Sequence, residues 1–384
     1  MSIPLVKDTI DNQDIDKLVE WLKTYPRLTK GELTPVFEDM WSKFTGTRHS
    51  VFVNSGSSAN LLMLYSLLEK KLLKRGDVVI VPAVSWATDL APVVQLGLEP
   101  VLCDCNLDDL SIDLEHFEQL CKKYKPSALI LVSILGLVPD MRKVLQICNK
   151  YGVVLLEDAC ESFGSRFEGN NLGSFGLMGS FSTYFGHHLS TIEGGVITTN
   201  DTDIYNILKS IRSHGWDRDM DKDYQDRLRS DHKVNEFENL YKFYHFGFNV
   251  RSSDLGAFIG INQLEKAAFM CRKRNENYDY YNQKVLNPFW NPKDKDNCYV
   301  SNFSYPVISQ NRDKLVEELI RNEIEVRPLV CGNLARQPVW YENYSSETLP
   351  NADIVNDHGL YIPNNHQITK EEIDFIANVM NPIL

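Results

Sequence analysis

The 384-residue chain has no long hydrophobic run. Its longest, ALILVSILGLV from residue 128, is too short to span a bilayer. Positive charge is scarce: 40 Lys and Arg stand against 52 Asp and Glu, a net charge of −12. That argues against nucleic acid and anionic membrane as partners, since both need a basic face. A nucleotide ligand stays possible, because backbone N–H groups hold phosphate even in an acidic protein. Eight cysteines are present, but no Cys-x-x-Cys pair and no zinc-like quartet, so no metal site is expected. They read as buried, reduced thiols. The opening MSIPLVKDTIDNQD is polar and charged, without a signal-peptide pattern, which gives a cytoplasmic expectation. One further scarcity is local: from Tyr151 to Leu208 there is no lysine.

What is there reads as a soluble globular protein, 43% apolar and 24% charged. From about residue 50 to 200, short β-branched runs alternate with helical stretches. VFVN (51–54), VVIVPAV (78–84), EPVLCDC (99–105), ALILVSIL (128–135) and VVLLEDA (153–159) read as strands. Between the last two, Met141, Val144, Leu145 and Cys148 recur at helical spacing and form one apolar face. Near-continuous apolar strands separated by helices predict an α/β fold with a mainly parallel sheet covered on both sides. After about residue 250 the texture changes. A long helix from Ser252, a strand over 299–308, a helix over 312–323, a strand over 324–330 and a helix over 369–380 predict a smaller α+β domain. The charged segment 217–238 reads as a surface excursion between the two parts.

Four stretches offer chemistry. NSGSSAN (54–60) is a strand-to-helix turn whose free N–H groups and hydroxyls suit a phosphate, although an ordinary helix cap reads the same way. PAVSW (82–86) puts Trp86 just beyond a strand C-terminus, where α/β sheets collect ligands. Its ring suits stacking on a planar cofactor, or packing in a core or interface. LLEDACES (155–162) ends a buried-looking strand in Asp158, flanked by Glu157 and Glu161. A carboxylate there suits a protonated ring nitrogen; a metal cluster is the weaker alternative, because no histidine lies within twenty residues. FSTYFGHHLSTIEGG (181–195) carries His187 and His188 in a turn before another strand, and such pairs are often merely structural.

In this order and spacing the motifs resemble the DegT/DnrJ/EryC1/StrS sugar aminotransferases, from LTKGE near residue 30 to PNNHQI at 363–368. The resemblance implies a fold-type I, aspartate aminotransferase-like large domain with a mainly parallel mixed sheet over 1–250, and a small C-terminal domain over 251–384. It implies pyridoxal or pyridoxamine 5′-phosphate (PLP or PMP) as cofactor. Gly56, Ser57 and Ser182 would hold its phosphate, Trp86 would stack on its ring, and Asp158 would bond the ring nitrogen with Glu161 nearby. Within FGFNVR, Asn249 would reach the cofactor of a neighbouring subunit, which implies a homodimer with shared sites.

Most members of that family carry a cofactor-linking lysine a little under thirty residues after the aspartate. Counting back from EGG, that position falls on His187, with His188 as the fallback. This departure resembles a subgroup of dehydratases that remove the 3-hydroxyl of nucleotide-linked 4-keto-6-deoxyhexoses, a chemistry of lipopolysaccharide O-antigen sugars. GHHLSTIEGG, RSHGWDR, RPLVCGN and NNHQI all share in the likeness. Imidazole forms no stable covalent link to the cofactor aldehyde, so the cofactor is expected as free PMP, with His187 moving protons. The resemblance implies L-glutamate as the amino donor that restores PMP. A related iron–sulfur branch acting on CDP-sugars needs four grouped cysteines, and none lies between Cys160 and Cys271. That favours GDP-4-keto-6-deoxy-D-mannose as substrate, with His214 and Arg218 of SHGWDR near its sugar or diphosphate. A nucleotide-sugar aminotransferase and a non-catalytic binding protein of the same fold remain the alternatives.

Overall fold

The computed structural model of the chain describes residues 2–293, 296–345 and 347–384. Seven strands among them form the main sheet: β1 (His49–Val53), β2 (Val78–Pro82), β3 (Glu99–Cys103), β4 (Ala128–Val132), β5 (Val154–Asp158), β8 (Met178–Ser182) and β9 (Gly195–Thr199). Their order is β1-β9-β8-β5-β4-β2-β3. From β3 to β8 all neighbours run parallel, whereas β9 is antiparallel to both β8 and β1. The apolar runs are apolar because both faces are covered: β4 is buried at every residue. The helix Met141–Tyr151 buries Met141, Val144 and Cys148, as its spacing predicts, and stops at Gly152, whose φ of 69° suits glycine.

Two cores flank the sheet. The larger contains Val79, Ile80, Leu129, Leu155 and the helix residues packed on them. The smaller is aromatic: Phe37, Trp41, Phe52, Phe163 and Phe181, joined by Leu189 from the histidine turn. Each such side chain contributes about 1.5–3 kcal/mol by leaving water, so this cluster anchors the turn beside β8 and β9. The helix Asp254–Lys284 packs on the helix Leu33–Thr45 at one end and on Lys370–Met380 at the other.

Two smaller sheets complete the chain. β6 (Arg166–Phe167) lies between β7 (Asn170–Asn171) and β10 (Cys298–Tyr299), and β13 (Gly359–Ile362) lies between β11 (Tyr305–Ile308) and β12 (Arg327–Pro328). The strand expected over 299–308 is therefore two short strands. Residues 301–304 between them turn their backbone elsewhere: Ser301 O meets His188, and Asn302 O and Phe303 O accept from Arg274. The strand expected over 324–330 shrinks to β12, preceded by a single bridge from Ile324 to Ile3. The charged excursion contains the helix Lys222–Asp231, which buries nothing. Its base is fixed, because Asp217 is buried and accepts from Arg229 and Asn239, and Tyr244 N–H returns to Gly215 O.

Candidate active site

The parallel strands end at one edge of the sheet, and most of the singled-out residues gather there. Ser55 caps the helix Gly56–Glu69, its hydroxyl accepting from Ser58 N–H at 3.1 Å. That leaves the amides of Gly56 and Ser57 at the helix N-terminus, with no partner inside the helix. Space there is tight. A Cβ on Gly56 would sit 2.9 Å from Ser182 Cβ and 3.0 Å from Cys160 Sγ, so only glycine brings this turn against the end of β8. Gly56 and Ser182 are thus neighbours, as expected. Ser57 Oγ donates to Thr88 Oγ1 at 3.1 Å, which ties the turn to the segment carrying Trp86. Trp86 is 57% exposed, an unusual state for tryptophan, just beyond the end of β2.

Asp158 ends β5 and is buried. One carboxylate oxygen accepts from Cys160 N–H at 2.8 Å and the other from Asn60 Nδ2 at 2.6 Å. Glu157, one residue earlier, points to the opposite face of the strand. Its carboxylate accepts the N–H groups of Gly173, Phe175 and Gly176, at 2.7, 2.7 and 2.6 Å. Glu157 is therefore a clasp that fixes the approach to β8. Glu161 accepts from Leu135 N–H at 2.8 Å. Burial pushes both glutamates up, each to about 7.

The histidine turn leaves β8 and returns as β9. Its base is pinched by Thr183 and Thr191, whose hydroxyls lie 2.5 Å apart and whose backbones bond to Gly194 and to each other. The structure separates the two imidazoles. His187 is half-buried, its ring edge resting on Phe303, and its Nδ1 lies 2.8 Å from Cys160 O. A carbonyl only accepts, so Nδ1 carries the proton and Nε2 keeps its lone pair. Burial lowers the His187 pKa to about 4, and the Cys160 carbonyl and Asp158 pull partly the other way. His188 is 1% exposed, sits between Phe163 and Phe303, and bonds Ser301 O through Nε2 at 2.9 Å. Burial, then Arg274, holds it well below the usual imidazole range. His188 faces the protein interior; His187 stands with Asp158 through the Asp158–Cys160 turn.

The remaining candidates lie apart. Asn249 is exposed and pairs its backbone with Ser213; two residues on, Arg251 bridges to Val53 at the foot of the phosphate turn. His214 packs its ring edge on Trp216. Arg218 lies over the Trp216 ring at 4.0 Å and donates to Leu240 O. Sequence reasoning missed Asn60, Asp89 and Ser180, which surround Asp158 from three elements. The available signal was an aspartate three residues after Trp86, a spacing typical of a helix start. Among the described residues no group of three or more His, Cys, Asp or Glu is placed to hold a metal ion.

Known proteins resemble this chain over nearly its whole length. The chain is 34% identical to a GDP-4-keto-6-deoxy-D-mannose 3-dehydratase of Escherichia coli O55:H7, across 99% of this chain and 100% of the relative. It is 32% identical to a protein of the same name from Yersinia pseudotuberculosis, across 99% and 98%. Among solved structures, a GDP-4-keto-6-deoxymannose-3-dehydratase with a trapped PLP-glutamate geminal diamine superposes with a TM-score of 0.89 at 32% identity, over 98% of this chain and 99% of that one. The expected fold, with its mixed, mainly parallel sheet and covering helices, is the one observed. Residues 8–381 match the DegT/DnrJ/EryC1/StrS aminotransferase family, and the chain belongs to it.

Proposed function

We propose that this protein is a PMP-dependent dehydratase that removes the C3 hydroxyl of GDP-4-keto-6-deoxy-D-mannose, with L-glutamate restoring the amine of the cofactor. The observation that carries the reading is His187. A half-buried imidazole with a free Nε2 stands by Asp158, in a stretch of chain with no lysine from Tyr151 to Leu208.

The residues present fit the cofactor. Gly56 lets a helix N-terminus pack directly against the end of β8, beside the hydroxyls of Ser57 and Ser182, which suits a phosphate. When bound, pyridoxamine phosphate supplies an amine for the sugar ketone and a ring that takes up electrons. The chain's own groups do the rest. Gly56, Ser57 and Ser182 hold the phosphate, Trp86 covers a ring face, and Asp158 accepts from the ring nitrogen. Glu161 stands beside them. His187 takes a proton at Nε2 and returns one to the departing hydroxyl on the same face. Burial holds its pKa at about 4, so Nε2 is unprotonated near neutral pH and free to act first as the base. His188 pins the turn.

His214 and Arg218 contribute to the sugar-diphosphate side, and an arginine suits that anion. Residues 1–250 make the large cofactor-binding part and 251–384 the small one. Asn249 completes the site of a second copy, so the working unit is a homodimer. Among the described residues no helix is long and apolar enough to cross a membrane, in keeping with a cytoplasmic enzyme.

The test combines a spectrum with a product. Protein incubated with PLP and L-glutamate is expected to give the absorbance of pyridoxamine phosphate, and borohydride to trap no protein–cofactor link. Added GDP-4-keto-6-deoxy-D-mannose is expected to yield a 3-deoxy-4-ketosugar and ammonia by mass spectrometry. A trapped lysine, or an aminated sugar, turns the reading into that of an aminotransferase.

A further inference from the structure

Asp89 lies in the first turn of the helix Ala87–Gln95 and is 0% exposed. Its Oδ2 accepts from Trp86 N–H at 3.0 Å and its Oδ1 from Asn60 Nδ2 at 2.9 Å. The same Asn60 nitrogen donates to Asp158 Oδ2 at 2.6 Å. Asn60 is held in that orientation by Ser180, whose hydroxyl donates to Asn60 Oδ1 at 2.5 Å. One amide nitrogen therefore bridges Asp89 Oδ1 and Asp158 Oδ2, which makes the two buried carboxyls close neighbours.

The groups around Asp89 are Asp158, Cys160 and Glu161 from the loop after β5, Asn60 from the helix Gly56–Glu69, and Cys331 from the loop before the small Leu334–Arg336 turn. The charges acting most strongly on it, Asp158 and Glu161, are both acidic. Two carboxylates bridged by one amide nitrogen, out of water, repel too strongly for both to ionise.

We propose that Asp89 is the proton-holding partner of Asp158: the two carboxyls carry one proton between them and present a single negative charge to the cofactor ring. The proton resides on Asp89, which donates it to Asp158; Asp158 keeps its outward lone pairs for the ring nitrogen. Asp89 is thus a positioning residue. It sets how much charge the ring meets, and through Trp86 N–H it links that charge to the stacking indole. The part that concerns the ring rests on the function proposed above; the shared proton does not.

The test uses the cofactor-free protein. Burial, then Asp158, holds the Asp89 carboxyl well above the usual carboxylate range. The unfolded chain releases that proton near pH 4. Above the unfolded value, and until the folded carboxyl itself ionises, the folded chain holds one proton more, so this group's contribution to stability falls as pH rises. Asp89→Asn keeps the shape and has no such proton. The melting temperature of Asp89→Asn minus that of the wild type is expected to climb by about 1–2 °C per pH unit from pH 5 to 8. A residue that only caps a helix gives a constant offset, and a constant offset overturns the proposal. If Asp89→Asn fails to fold, carbon-13 NMR of aspartate-labelled wild type decides. A neutral aspartyl carboxyl at pH 7 supports the shared proton, and full ionisation of every aspartate refutes it.

Visible absorbance of added PLP separates the two readings. A sloping difference in a protein that binds no PLP keeps the shared proton and sinks its role at the ring. PLP binding with a flat difference sinks the shared proton alone.

Discussion

Behind the site, Ser180, Asn60, Asp158 and Asp89 are buried and bonded to one another from four elements of one chain. In front, Trp86, Tyr184, Phe185 and Ile192 stand exposed; away from the site, Phe237, Tyr241, Phe243 and Phe246 are exposed on the returning excursion, Phe246 near Glu69 at the far end of the helix that Gly56 opens. The back wall satisfies its polar atoms internally, so it is complete as soon as one chain folds. The mouth leaves apolar surface uncovered, which marks a place built to meet something else. A substitution in the wall therefore acts on chemistry within one protomer; one in the mouth acts on what docks there.

The largest effect is expected at His187, in the turn where wall and mouth meet. His187→Asn is expected to lower turnover by about 10²–10⁴-fold while PLP still binds, read by steady-state kinetics alongside absorbance. His187→Lys should create a borohydride-trappable link; retained turnover without one would remove His187 from its role. The mouth offers a matching test across copies. In the proposed dimer Asn249→Asp would place a carboxylate against the neighbour's phosphate, at an expected cost of about 10²-fold. Mixing it with His187→Asn then rebuilds one intact site in each hybrid dimer. Activity recovers to about a quarter of wild type after random exchange, since half the dimers are hybrids with one good site of two. No recovery would make each site the property of one chain.

Smaller effects sharpen the boundary. Asp158→Asn removes a charge-assisted bond of about 1.5–3 kcal/mol, so PLP affinity should fall by about 10–100-fold by titration. Trp86→Ala removes one stacking face and should weaken PLP binding by about 2–10-fold, with little effect on melting temperature. His188→Asn should act on stability alone. Its imidazole is buried neutral, so the unfolded chain takes up a proton as pH falls through 6.5 and the wild type loses stability there. In the variant this acid-side loss should be shallower by calorimetry between pH 7 and 5.

Much of this was legible in the sequence because it depends on local pattern. The apolar runs specify β2, β4 and β5, and Asp158 follows from the polarity change at the end of one of them. Strand order is different in kind. That β9 inserts antiparallel between β1 and β8 depends on contacts between residues far apart, such as Val53 with Gly195. The shortened strand at 299–308 failed for a similar reason. Alternation reads as β, but residues 301–304 spend their carbonyls on His188 and Arg274, which no local window reveals. The distance from EGG already puts His187 first in the sequence; that the two rings point apart is seen only in the fold, where the turn is pinched. Asp89 was missed because its partner Asp158 lies 69 residues away in sequence.

The glycine pair at 194–195 closes that pinch. A Cβ on Gly194 would lie 2.3 Å from Thr191 Oγ1 and 2.4 Å from Thr183 Oγ1, and one on Gly195 would lie 2.3 Å from the Ser55 backbone. An alanine at 194 would push on the imidazole turn and one at 195 on the phosphate turn, in neither case touching a reacting atom. Such a variant would look catalytically dead in an activity screen, yet its defect would be architectural, visible as lost solubility before any assay begins.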